Sequence, residues 1–400
     1  MVEREESGAV PGFSAGSIAC GIKKGRKRDL ALIVSETPAV AAGVFTRNRV
    51  KAAPLLLTME RIRGGRCGAV IINSGNANAC TGRRGARDAR RMAGEAAKAL
   101  GIAPELLFVA STGVIGEPLP VERIIKGAPR LAKRVSSSVA GWREAAEAIM
   151  TTDTFPKLVQ EEGVIGGAPV RILGVAKGSG MIAPDMATML AFIVTDAAIE
   201  QSELQSVLRS AVKRSFNRIT VDGESSTNDM VLLLANGVAG NKRVRAGSSG
   251  LRQFSEMVER VCVQLATLIV KDGEGATKLL EIRVKGAKSE GDAVKAAKRI
   301  ANSLLVKTAF FGEDANWGRI MAALGSAGVE MEPESVNISL GRVPIVRGGR
   351  ATGREGEAVK VIREREIKLT VDLRVGGGEA TVRSTDLSYD YVRINASYRS

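Results

Sequence analysis

The stretch VAKGSGMIAPDMATMLAFIVTDAAI runs from Val175 to Ile199. Its middle, PDMATMLAFIV, is apolar enough to form a buried strand. A threonine, Thr188, stands where that strand would begin, with the small Ala187 before it. The approach, KGSGMIAPD, is rich in glycine and carries Lys177. A hydroxyl at the mouth of a buried strand, served by a pliable loop, is the feature to explain.

Working outward, the N-terminal side alternates short strands with turns over residues 15–55. Gly68 to Ile72 reads as a strand running into the polar Asn/Gly loop of INSGNANACTG, and a helix is expected over roughly 83–100. LLFVASTGVIGEPL (106–119) repeats the plan, a strand followed by a Ser-Thr-Gly loop. On the C-terminal side, Ser202 and Gln205 form a capping-box pattern. Leu204, Val207, Leu208, Ala211 and Val212 then recur at helical spacing. NDMVLLLANG (228–237) predicts a buried strand. Phe254, Met257, Val258, Val261, Cys262, Leu265, Ala266 and Ile269 make one long apolar stripe on a helix. Leu280, Ile282 and Val284 alternate like a strand, and GDAVKAAKRIANSLL (291–305) reads as one helix. Beyond 335 the pattern is strand-rich, with 348–358 and 374–380 as hairpin or loop insertions. Strands and helices that do not strictly alternate point to packed layers of sheet and helix rather than a doubly wound parallel sheet.

The chain has 400 residues, enough for one large domain or two ordinary ones. Aromatic residues are only 4 %, so the core must be built from Ala, Val, Ile and Leu. The net charge is +15, with local basic knots at KKGRKR (23–28) and GRRGARDARR (82–91). No zinc-finger spacing, RNA-binding signature or aromatic-interleaved basic stripe accompanies them. They read as solvated surface, with a modest bias toward anionic metabolites as the alternative, and no nucleic-acid partner is expected. Cys20, Cys67, Cys80 and Cys262 form no C-x-x-C pair, so no metal site is expected. The acidic opening MVEREESGAV has no apolar run and no stretch approaches 18 apolar residues, so neither a signal peptide nor a membrane span is expected, and free thiols suit the cytoplasm.

The chain contains no histidine. That excludes Ser-His-Asp triads, Cys-His dyads and any histidine base. A threonine released as an N-terminus supplies its own base. Its α-amine has a pKa of about 7.7–8.0 and can take the proton from its own hydroxyl. Cleavage between Ala187 and Thr188 would create that group.

The segment APDMATMLAFIVTDA closely resembles the self-cleavage segment of the ornithine acetyltransferase (glutamate N-acetyltransferase) family. GVFTRN (43–48), INSGNANACTG (72–82), STGVIG (111–116), IMTTDTFPK (149–157), FNRITVDGESSTNDM (216–230), KDGEGATK (271–278), VKTAFFGEDANWGRI (306–320) and YVRINASY (391–398) resemble further family segments, in family order. The resemblance implies a precursor that cuts itself before Thr188. It gives an α chain of residues 1–187 and a β chain of residues 188–400, associated as an α2β2 heterotetramer. The implied fold is the layered α/β sandwich shared with self-processing aminopeptidase-like Thr/Ser-nucleophile enzymes. The implied reaction is ping-pong transfer of acetyl from N2-acetylornithine to glutamate, in arginine biosynthesis. No cofactor is implied; whether acetyl-CoA serves as a second acetyl donor stays open.

By the same resemblance, Thr188 is nucleophile and base, and Thr112 with the backbone N–H of Gly113 holds the oxyanion. Thr151, Lys177, Glu274, Asn395 and Ser400 contact substrate; the last position is a threonine in the expected family pattern, and serine keeps the hydroxyl. Asn76 and Asn78 read as structural, while Trp317 and Arg319 are candidates to support the pocket. A self-processing aminopeptidase or amidohydrolase of the same fold, with water as acceptor, is the rival reading.

Overall fold

The computed structural model describes residues 9–183 and 189–397. Positions 187, 188 and 400, on which three of the site expectations fall, lie outside the described residues.

Two sheets organise the chain. The first contains β1 (Phe13–Ile18), β2 (Leu30–Phe45), β3 (Arg66–Asn76), β4 (Leu107–Val114), β5 (Lys157–Ile165), β6 (Ala168–Lys177), β7 (Leu190–Thr195) and β8 (Met230–Ala235). Its strand order is β4-β3-β2-β8-β7-β6-β5, with β1 paired to β2. Strands from the second half of the chain, β7 and β8, therefore lie between strands from the first half. The boundary expected at residue 188 does not divide this sheet into two bodies.

β7 shows why the sequence folds this way. Leu190, Phe192 and Val194 pack toward Trp142, on α4 (Val139–Ile149), while Ala191 and Ile193 pack toward Phe254 and Val258, on α6 (Ser249–Lys271). Side chains alternate across a strand, so a strand apolar at every position needs cover on both faces. α5 (Gln201–Arg214) shares the second face with α6. Farther along, Ala69 and Ile71 of β3 pack against α2 (Gly82–Leu100) and α3 (Val121–Ala132), and α1 (Ala53–Arg61) lies beside β4. The result is the layered α/β sandwich that the patterning called for.

The second sheet contains β9 (Leu279–Ala287), β10 (Asn337–Leu340), β11 (Val343–Arg347), β12 (Arg350–Ala351), β13 (Glu366–Asp372) and β14 (Gly378–Thr385), in the order β12-β11-β10-β13-β9-β14. Here only one face is apolar. Leu280, Ile282 and Val284 of β9 and Ile367, Leu369 and Val371 of β13 are buried under α7 (Glu290–Ala301), α8 (Leu304–Phe311), α9 (Trp317–Gly325) and α10 (Glu355–Ile362). The other face carries charge. Arg383 meets Glu281 at 3.0 Å, Arg283 meets Glu379 at 2.7 Å, and Lys285 meets Asp372 at 3.3 Å. The last element, α11 (Tyr389–Ser397), follows β14.

Three local expectations are corrected in whole or in part, and a fourth is decided between its two alternatives. The capping box does not form: α5 begins at Gln201, with no side-chain cap. Gln205 instead bonds the N–H and C=O of Gly43, both at 3.1 Å, tying α5 to β2. The helix expected over 291–305 is two helices, because Ser303 caps a new one by accepting from the N–H of Val306. The glycine-rich 374–380, expected as a hairpin or a loop, is a loop leading into β14, since β13 and β14 flank β9 on opposite sides. The 348–358 insertion does hold the β11–β12 turn but then enters α10.

Candidate active site

The ends of several strands converge on one small cleft of about 90 Å³. Its wall includes Thr112 and Gly113 from the end of β4, Thr151 just past α4, Lys177 closing β6, Glu274 after α6, and Asn395 on α11. All six described candidates from the sequence thus share one space, although they come from five separate stretches of chain. Met189, the chain neighbour of position 188, lines the same cleft.

Gly113 is where only glycine fits. Its φ is +133°, and a Cβ there would stand 2.3 Å from the carbonyl carbon of Gly75 in β3. The two strands touch backbone to backbone at that point. Lys177 is buried, and its Nζ donates to Thr112 Oγ1 at 3.2 Å. A hydroxyl that accepts from an ammonium keeps its own O–H proton to donate elsewhere. Burial pushes the Lys177 ammonium down from its ordinary value; Asp153 opposes this, Lys157 adds to it, and Asp229 and Glu274 oppose it further.

Beneath the cleft lies a buried ion network that the sequence reading missed. Lys157 is fully buried, and its Nζ reaches Asp153 at 2.7 Å and Asp272 at 2.5 Å. Asp153 also accepts from the N–H of Thr151 at 2.9 Å and of Gly178 at 2.7 Å, which fixes the backbone beside Thr151 and Lys177. Burial alone would raise the Asp153 carboxyl, but Lys177 and Lys157 reverse that and hold it at about 2. Asp272 takes the N–H and hydroxyl of Thr154. The aspartates and lysine sit inside IMTTDTFPK and KDGEGATK, but a lysine in a sequence reads as surface.

Glu274 accepts from Asn395 Nδ2 at 2.8 Å, and Asn395 also donates to the carbonyl of Tyr391. That bond, with Tyr391 Oη donating to Asp222 at 3.4 Å, brings α11 back over the cleft. Gly180 makes room for the carboxylate, since a Cβ there would lie 2.3 Å from it. Asp229, at the mouth of β8, was also missed. It is buried, its Oδ2 has no partner among the described residues, and burial pushes its carboxyl well above the usual range against the pull of Ser226 and Lys177. Asn228 beside it pins two strands, donating to the carbonyls of Ala77 and Ser111 at 2.7 and 2.8 Å. Asn76 and Asn78 are structural, bonding Glu117 and Gly85 carbonyls. Trp317 and Arg319 do not support the cleft: Trp317 donates to Glu355 and Arg319 to the carbonyl of Leu305, both within the second layer.

Residues 14–400 match the ArgJ family. The chain belongs to the ArgJ family. The Arginine biosynthesis bifunctional protein ArgJ of Geobacter sulfurreducens is 53 % identical over 393 residues, 98 % of this chain and 100 % of its own. The protein of that name from Symbiobacterium thermophilum is 54 % identical over 396 residues, 98 % of each chain. The crystal structure of the Bacillus halodurans ArgJ protein matches with a TM-score of 0.52 at 43 % identity, covering 53 % of this chain and 100 % of that one. An ArgJ-family chain is an enzyme of arginine biosynthesis, an acyltransferase and a multifunctional one. Among the described residues, no helix is long and apolar enough to cross a membrane.

Proposed function

We propose that this enzyme transfers acetyl from N2-acetylornithine to glutamate by a ping-pong route through an acetyl ester on Thr188. The observation that carries the proposal is the cleft itself. Thr112, Gly113, Thr151, Lys177, Glu274 and Asn395 surround one space at the chain neighbour of residue 188. The precursor first cuts itself between Ala187 and Thr188, giving chains of residues 1–187 and 188–400. In support, the solved Bacillus halodurans chain is matched in full by 53 % of this chain, close to the share of residues 188–400. On the family resemblance, two such pairs assemble as α2β2.

The freed α-amine takes the Thr188 hydroxyl proton as the oxygen attacks the acetyl carbonyl. The Thr112 hydroxyl, its oxygen already engaged by Lys177, and the Gly113 N–H stabilise the oxyanion. Proton return to the ornithine amine frees it and leaves the acetyl ester. Glutamate's amine then attacks that ester, and the same groups serve in reverse. Lys177 is placed to hold an α-carboxylate; Glu274, with Asn395, to hold the ornithine side-chain ammonium. Ser400 completes the substrate contacts. Acetyl-CoA is the second donor, which gives the multifunctional character its substance.

The test is direct. Purified protein should run as two chains, the second beginning Thr-Met-Leu-Ala, and should form acetylglutamate from glutamate with acetylornithine. Thr188→Ala should remain one 42.1 kDa chain without activity. Loss of the acetyl group to water at the same rate with or without glutamate would establish the amidohydrolase instead.

A further inference from the structure

A second groove opens beside the cleft, about 1330 Å³ in volume. Thr151 lines both, and α11 contributes Asn395 to one and Ser397 to the other. Gly75 lines the groove directly behind Gly113 of the cleft. The two spaces therefore adjoin at Thr151.

The groove is strongly basic. Lys24, Arg26, Lys27, Arg130 and Arg134 line it, and none of the five has an ion pair among the described residues. The acids on its wall are Glu117, Glu147 and Asp153, and all are engaged: Glu147 with Arg28 at 2.8 Å, Asp153 with Lys157, and Glu117 likewise not free. Three of the five cations come from KKGRKR, the knot that reads in sequence as solvated surface. The structure gives it a different standing. Asp29, fully buried, accepts from the backbone N–H of Cys20 at 2.7 Å, Gly21 at 3.0 Å, Ile22 at 2.6 Å and Lys23 at 3.0 Å. Lys23 Nζ then donates to the carbonyls of Arg28 and Ala148 at 3.1 and 3.2 Å. A loop anchored at both ends holds its charges in place, and fixed unpaired cations facing a groove recognise phosphates.

We infer that this groove is the subsite for the phosphate-bearing end of acetyl-CoA, with the acyl end reaching the cleft past Thr151. The inference rests on the reading of acetyl-CoA as second donor. In the reaction, Thr188 Oγ bonds the acetyl carbon, the carbon–sulfur bond breaks, and the hydroxyl proton ends on the departing thiol. Acetylornithine has no phosphates, so the groove discriminates between the two donors.

The experiment compares the two donors in the wild type, the double variant Lys24→Glu/Lys27→Glu, and Arg130→Glu. Each charge reversal should raise KM for acetyl-CoA about tenfold or more, since hydrogen bonds to charged groups are being lost. The acetylornithine-to-glutamate reaction should stay within twofold, which also shows that the variants fold. Adenosine 3′,5′-bisphosphate should compete with acetyl-CoA in the wild type and lose potency in the double variant. An unchanged KM for acetyl-CoA, or an equal rise for both donors, would overturn the proposal. A wild type active with acetylornithine but inert with acetyl-CoA overturns it too, while leaving the acetylornithine reaction intact.

Discussion

In the first sheet, Lys157 is fully buried between two aspartates. In the second, Arg283, Lys285 and Arg383 meet their carboxylates on an open face. Both are ion pairs between a base and an acid, and they do different work. The buried set fixes backbone: Asp153 and Asp272 between them hold Thr151, Thr154 and Gly178, which frame the cleft. The open set lies across neighbouring strands, where solvent screens it and leaves little net energy. One layer uses charge to position chemistry; the other uses it to stay wet on its outer face.

The largest effect should come from breaking the buried set. Lys157→Met leaves two buried carboxylates without their cation and should cost about 3–5 kcal/mol in a denaturant titration, with activity falling as Thr151 and Lys177 lose their support. A variant as stable as wild type would erase the distinction between the sheets. Next, Thr112→Val should lower kcat by about 10²–10³. Stability should move far less than in Lys157→Met, which separates a group acting on the reaction from one acting on the frame.

The third prediction sharpens the comparison inside the second layer, where Lys307 is buried against Ser384 and Thr385. Burial pushes its ammonium down to about 8, against the pull of Asp386 and Asp222. Between that value and the unfolded value near 10.5, the unfolded chain holds more protons than the folded one. Lys307 therefore costs stability below about pH 8, and the cost is relieved as pH rises. Measured against Lys307→Met, wild type should gain up to about 3 kcal/mol from pH 7.5 to 10.5. A constant gap would mean that the amine is not desolvated. The smallest effect belongs to Arg283→Ala, expected to cost under about 1 kcal/mol and to leave both reactions untouched.

The frame of the molecule was readable where residues had only one good use. Met230–Ala235 is apolar throughout, and such a run must be a covered strand; the stripe from Phe254 to Ile269 can only be a buried helix face. The candidate site was readable mainly through resemblance, because Thr112, Lys177, Glu274 and Asn395 are distant in sequence and their meeting depends on strand order. What sequence hid were residues whose behaviour is set by partners from elsewhere. Gln205 looked like a cap and instead grips Gly43; Lys157 drew no reading of its own and is buried because Asp272 arrives from a distant stretch to join Asp153, four residues away. The KKGRKR knot looked solvated because nothing local says that Asp29 gathers four amides beneath it.

The position of β7 and β8 between β2 and β6 has a consequence for the life history of the enzyme. While the chain is whole, those strands find their places as part of one molecule, and folding is a first-order event. After the proposed cut, the same strands belong to a separate polypeptide wedged into the middle of another's sheet. Lifting it out would strand β5 and β6 on one side and β1–β4 on the other. Reassembly would then be a second-order encounter between two chains, neither of which holds the first sheet complete. Maturation therefore acts as a ratchet: the uncut precursor should refold from denaturant at a rate independent of concentration, while the mature enzyme, once taken apart, should recover slowly and only in proportion to how much of it is present.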